Sequence, residues 1–294
     1  VKLLTKFNLI LVVVFGAAGF LIAQLSYSFL MGNARREVLA QADLMMQSAS
    51  SVRDYTSGDL RPLLEKNPRH KVHFLAETVP AFAATTTFAN LRKSDADFTN
   101  YTYKEATLNP TNLEDRASDW ESEVIRDLRD HPDEKEKRGD HDSATGPSIY
   151  LAKPLVAAPP CLECHSVPSA APPAMIAVYG SANGFGWKPN EIIGAQIITV
   201  PLAVPIAIAN DAYHKLLLIL ISTLIATLLA LDAGVYLLVI RPLKLVSETA
   251  DKVSKGDKTA SPLTVKGKDE IASVTASFNR MQLSLAKALK MLDE

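Results

Sequence analysis

The chain has 294 residues, 48% of them hydrophobic, with 31 Lys plus Arg against 32 Asp plus Glu and a formal net charge of -1. That composition excludes intrinsic disorder and collagen, and a near-neutral chain has no global basic field with which to hold nucleic acid. Mean hydropathy is still slightly positive at 21% charged residues, which points to strongly apolar blocks set in ordinary polar sequence.

The first block, Phe7 to Met31 (FNLILVVVFGAAGFLIAQLSYSFLM), carries 25 residues without a charge. About 20 apolar residues cross the hydrocarbon core as a helix. Lys2 and Lys6 would suit a signal peptide, but its apolar region is roughly 7 to 15 residues, so the run reads as a membrane span. Val38, Ala42, Met45, Ala49 and Val52 then step by 4, 3, 4 and 3, one face of a helix continuing out of the membrane.

His70 and His73 open a second helical region, and another helix follows Pro80 with Phe82, Ala83, Phe88 and Leu91 apolar. Asn109-Pro110-Thr111-Asn112 is a turn, and Leu113 to Arg129 reads as a helix with Trp120, Val124 and Leu128 at helical spacing. The charged run Asp130 to Asp142, with His131 and His141 beside it, reads as a solvated loop. Ser148 to Val156, Met175 to Tyr179 and Ile192 to Val200 are short, apolar and bounded by Gly or Pro, the pattern of three strands in a small antiparallel sheet. Helices first and strands later predict an α+β domain.

Both cysteines of the chain fall in Cys161-Leu162-Glu163-Cys164-His165, in the Pro-rich connection between the first two of those strands. This is the spacing of c-type haem attachment: two thiols add to the haem vinyl groups, and the adjoining imidazole ligates iron from the proximal side. A disulfide, half a zinc site and a thioredoxin-type dithiol compete with it. Zinc needs further Cys or His at motif spacing, and a thioredoxin site needs a βαβ setting; neither is present around these prolines. With both thiols consumed, no cysteine remains as a sixth ligand. Met46, His70 and His73 are the distal candidates, alongside an empty or water-bound position. His131, His141, Met45 and Met175 are less well placed.

The second apolar block, Leu216 to Ile240, is interrupted only by Asp232, which either pairs with the other span or is hydrated near the cytoplasmic side. Lys2 and Lys6 before the first span and Arg241 and Lys244 after the second place both termini in the cytoplasm. Residues 32–214, with 18 basic and 24 acidic side chains, are then extracytoplasmic, against 10 and 7 in residues 241–294. In the tail, Leu243, Val246, Ala250 and Val253 lead to Gly256. After a connector, Ile271, Val274, Phe278, Met281, Leu285, Ala288 and Leu292 keep a heptad pattern. Two helices per chain that need partners suggest a parallel four-helix bundle in a homodimer.

The tail resembles the HAMP linker of bacterial transmembrane receptors through Pro242, Gly256, Asp269-Glu270-Ile271 and Phe278-Asn279-Arg280-Met281, with Ala272 where a glycine is usual. The outer segment resembles the periplasmic c-haem sensor domains of PAS-like fold that precede such linkers. Tyr103 to Asn112, Asp119-Trp120-Glu121, Cys161 to His165 and Tyr179 to Trp187 carry that resemblance. It implies haem-based sensing of redox state or of a small gas, and transfers no distal ligand.

The expected organisation is an N-terminal transmembrane helix (1–32), a periplasmic PAS-like domain holding one covalent haem c (33–205), a second transmembrane helix (206–240) and a HAMP-like coiled coil (241–294). A two-pass protein of the bacterial inner membrane would signal from haem to a separate cytoplasmic partner, since no kinase, cyclase or methyl-accepting segment follows in this sequence. The competing expectation is a membrane-anchored electron-transfer cytochrome c or an accessory subunit of a respiratory or photosynthetic complex. No nucleophile and base constellation suggests an enzyme.

Overall fold

The structure is a computed structural model and describes residues 3–143, 146–257, 260–265 and 267–293. The chain forms two compact units, Ser28–Ala212 and a second built from the residues before and after it.

Helix α1, Leu3–Tyr55, is continuous over 53 residues. Within the Ser28–Ala212 unit it buries Val38, Ala42, Met46 and Ala49 completely, the face expected from the sequence with Met46 innermost rather than Met45. A π-helical turn, Thr56–Leu60, then leads into α2, Arg61–Leu64. Pro62 accounts for the widening: it has no N–H to donate and its ring crowds the carbonyl four residues back. The same device recurs at Tyr236–Ile240, ahead of Arg241-Pro242.

Helix α3, Pro68–Val72, is capped by Asn67, and α4, Pro80–Ser94, buries Ala84 and Phe88 while Phe82 stays exposed. Strand β1, Thr102–Thr107, was not anticipated from sequence, because its inward residues include Glu105 and Thr107. The helix expected over 113–129 starts only at Asp119: α5 is Asp119–Asp130. Ser118 and Glu121 close a capping box there, and the backbone N–H of Ser118 donates to Glu121 Oε2 at 2.7 Å.

The charged run expected as a loop contains strand β2, Lys137–Ser143, with alternate residues exposed. It pairs antiparallel with β3, Gly146–Val156, because main-chain bonds along the sheet need no apolar side chains. The haem-type motif lies on a short helix, α6, Pro159–His165, rather than in irregular chain. Met175–Tyr179 is helical, not a strand: α7, Pro173–Tyr179, is started by Pro173 and stopped at Gly180 with φ +78°. A five-residue apolar run fits either period, and the flanking residues decided it. Strand β4, Ile192–Pro201, completes a four-stranded antiparallel sheet of order β1-β4-β3-β2. One face packs on α1 and α4 through Tyr103, Ile149, Leu151, Ile198 and Val200; the other packs on α5 through Ala106, Tyr150, Ala152, Ala195 and Ile197.

In the second unit, α1 and α8, Ala203–Val235, are both long and apolar enough to cross a membrane. The side-chain amide of Asn8 donates to Asp232 Oδ2 at 3.0 Å, so Asp232 takes a partner on the other apolar helix. The described tail comprises α9, Arg241–Ser254, and α10, Glu270–Asp293. Asn279 holds the connector by accepting from the N–H of Leu263 and donating to its carbonyl, at 2.9 and 2.7 Å. Ala272, Thr275, Phe278 and Gln282 are buried on α10, whereas Val274, Met281 and Leu285 of the heptad seam are exposed; the side chain of Leu292 lies outside the described residues.

Candidate haem site

Pro159 and Pro160 open α6 at positions where a missing N–H costs nothing, so Cys161 and Cys164 project from one helical turn and His165 closes it. Both thiols are free and half-buried, and burial pushes the Cys164 thiol above its ordinary range. The imidazole of His165 is fixed from three sides. Its Nδ1 lies 2.8 Å from the Gly184 carbonyl oxygen and 3.3 Å from the Thr111 hydroxyl, and the Trp187 ring stacks on it at 4.0 Å and 12°.

A carbonyl oxygen can only accept, so Nδ1 carries the proton and Nε2 keeps its lone pair. A carbonyl on the far nitrogen is the usual way a metal-ligating imidazole is oriented. Burial lowers the His165 pKa, opposed only by the Gly184 bond, and so favours the neutral ring that a metal requires.

Two loops build this clamp. Asn109 accepts from the N–H of Gly184 at 3.1 Å and donates to the Phe185 carbonyl at 3.2 Å, which fastens the turn after β1 to the glycine loop before β4. Gly186 N–H donates to the Ser166 carbonyl at 2.9 Å, and Trp187 N–H to that of His165 at 3.3 Å. Gly184 has φ +81°, and a Cβ there would lie 2.0 Å from the Thr111 hydroxyl. Asn109, Thr111, Gly184 and Trp187 carried only a resemblance in the sequence, and their role comes from contacts across the fold.

The surroundings of the distal candidates differ. Met46 is fully buried in the apolar cluster with Val38, Ala42, Ala49 and Phe88, where it fills the core. His73 is exposed just beyond α3, its N–H bonded to the Arg69 carbonyl. The side chain of His70 lies outside the described residues. His131 is exposed at the end of α5, His141 stacks on Trp120 at 4.0 Å, and Met175 is buried on α7. Among the described residues no group of three or more His, Cys, Asp or Glu side chains is placed to hold a metal ion.

Residues 31–201 match the family described as Tll0287-like, a span of more than half the chain. The chain belongs to the Tll0287-like family. Residues 235–287 match the HAMP domain, so a Tll0287-like domain is followed here by a HAMP domain. A solved structure titled as the crystal structure of the cyanobacterial heme-protein Tll0287 is similar at 10% identity, covering 56% of this chain and 95% of that one with a TM-score of 0.43. A comparison with curated proteins finds no match. The HAMP domain and the two long apolar helices together indicate a membrane-anchored member of the Tll0287-like family.

Proposed function

We propose that this protein is a membrane-anchored c-type haem sensor. Cys161 and Cys164 would hold one haem through thioethers, and Nε2 of His165 would ligate its iron. The observation that carries the reading is the 2.8 Å approach of His165 Nδ1 to the Gly184 carbonyl, which leaves the opposite nitrogen ready to bind metal beside two free thiols. The family is named for Tll0287, a cyanobacterial heme-protein, which supports haem as the cofactor. Bound haem supplies a one-electron couple or a site for a small gas.

The chain's own residues orient the imidazole, shield one of its faces with Trp187 and hold both loops through Asn109. The four-stranded sheet with helices against both faces is the PAS-like sensor domain of this reading, placed in the periplasm between two spans. Signal output passes through the HAMP domain of a homodimer to a separate partner. Such signalling needs two packings of small energy difference, both biased by the state of the haem.

Two experiments test this. Ser in place of Cys161 and Cys164 should abolish covalent haem staining, and persistence of the stain would remove the cofactor assignment. Absorption and EPR spectra of ferric and ferrous protein, with and without CO and NO, divide the functional reading. High-spin haem that binds these ligands supports gas sensing, whereas an inert low-spin haem speaks against it, leaves a redox signal or electron transfer, and turns the search toward the sixth ligand.

A further inference from the structure

Three rows of register partners cross the sheet face that meets α1. Tyr103, Ile198 and Leu151 form an apolar row, Glu105, Gln196 and Lys153 a polar one, and Thr107, Gly194 and Leu155 a third. Glu105 is the anomaly: at 4% exposure it is a carboxylate among core residues, and an unpaired charge there would be costly. Arg53 of α1 supplies the partner, its guanidinium bonded to both carboxylate oxygens, and the Tyr103 hydroxyl donates to Glu105 at 2.7 Å. Burial alone would lower the Arg53 pKa, but Glu105 outweighs it and the guanidinium stays charged. Neither residue belongs to the clamp on His165.

The row of Glu105, Gln196 and Lys153 adjoins that of Thr107, Gly194 and Leu155, just before β3 ends at Val156 and α6 begins at Pro159. Arg53 is within electrostatic range of Cys161, and Arg61 within range of Cys164. Arg61 Nη2 also donates to Glu163, between the two cysteines, at 2.9 Å. Seven residues return an α-helix almost to the same face, so an eighth would turn Arg61 about 80° away from Arg53. The π turn Thr56–Leu60 absorbs that extra residue and lets both arginines of one helix reach toward the sheet and α6.

We propose that the buried Arg53–Glu105 pair, steadied by Tyr103, sets the reduction potential of a haem held at Cys161 and Cys164; this rests on the haem reading above. Reduction adds one electron to ferric iron and makes or breaks no bond at Arg53 or Glu105. A buried cation stabilises the less positive ferrous site and a buried anion the ferric one, and charges shielded from water are little screened by salt. Arg61–Glu163 is the internal contrast, because Glu163 is 67% exposed and such pairs contribute little. Lys153 lies on the same face and Asp115 within electrostatic range of Glu105; both remain in every variant below.

The test is a potentiometric titration with dithionite and ferricyanide on the full chain in detergent, each variant first shown to carry covalent haem by gel staining. Arg53→Met should lower the potential, Glu105→Gln should raise it, and the double variant should fall between them. Tyr103→Phe, which preserves the core ring, should lower it by leaving the carboxylate less compensated. Arg61→Gln should shift it less than Arg53→Met. Opposite signs for the two halves of one ion pair are not produced by loosened packing. Haem-loaded Glu105→Gln and Tyr103→Phe with unmoved potentials, or shifts of one sign for Arg53→Met and Glu105→Gln, would overturn this proposal alone. Absence of covalent haem from the unsubstituted chain would remove it together with the reading it rests on.

Discussion

Gly184 presents its carbonyl oxygen to Nδ1 of His165 at 2.8 Å from a backbone conformation, φ +81°, that an L-side chain rarely adopts. The orientation of the imidazole thus depends on a residue defined by having no side chain.

Gly184→Ala should separate the two. The new methyl would meet the Thr111 hydroxyl at 2.0 Å in a strained left-handed backbone, so the loop must move and take its carbonyl with it. We expect a loss of roughly 2 kcal/mol or more in unfolding free energy. Covalent haem should be retained but its ferric EPR signal broadened or shifted; an unaltered spectrum would separate Gly184 from ligand orientation.

Asp115 introduces a pH dependence of stability. Burial first, then the charges of Glu105 and Glu114, raises its carboxyl to about 6 against Lys104, which opposes them. The folded chain therefore binds this proton more tightly than the unfolded one, and stability falls as pH rises from about 4 to about 6 and then levels. The group is partly exposed, so the penalty above pH 6 is at most about 2 kcal/mol. Asp115→Asn should melt higher than the unsubstituted protein at pH 8 and at the same temperature near pH 4. Equal melting at both pH values would refute the raised carboxyl.

Asn8 and Asp232 form a polar contact between two apolar helices, which leaves the amide oxygen of Asn8 and the other carboxylate oxygen of Asp232 buried and unpartnered. Asn8→Leu removes the donor and should weaken the association of α1 with α8 by about 1 kcal/mol. A Cβ at Gly19 would lie 3.7 Å from a terminal methyl of Leu220, close enough for a short thiol-specific crosslinker between cysteines at these two positions. Gly19→Cys with Leu220→Cys should crosslink readily, and more slowly once Asn8→Leu is added. An unchanged rate would show that Asn8 does not hold these helices.

The exposed seam on α10 predicts self-association. Val274, Met281 and Leu285 lie in open solvent on a helix whose opposite side is already occupied by the connector. Met281→Glu with Leu285→Glu should convert a dimer in mild detergent into a monomer by light scattering. A monomeric unsubstituted protein would instead remove the dimer from the proposal.

Local chemistry explains what could be read in advance. Cys161, Cys164 and His165 form a haem-attachment pattern by their local spacing alone, so that expectation could be read without any distant residue. Strands β3 and β4 are buried on both faces and therefore appear as apolar runs. Strand β1 escaped detection because the inward Glu105 is satisfied by Arg53, 52 residues earlier, and no local pattern announces that pairing. Strand β2 escaped because its charges face water and its pairing is carried by the main chain. The clamp on His165 likewise depends on Asn109 meeting a loop 75 residues further on. Helix α7 was decided by Pro173 and Gly180, residues outside the apolar run itself.

Strand β2 ends the sheet on one side, and its outward residues Arg138 and Asp140 are each tied to α1, through Asp43 at 2.9 Å and Arg35 at 3.0 Å. A strand arriving from another molecule would have to align against a rim guarded by fixed charges of both signs, which is how proteins deter edge-to-edge polymerisation. The sheet is in this sense unsociable on that rim, and any pairing between copies would fall to other surfaces such as the exposed seam of α10, where it can be specific and finite rather than open-ended.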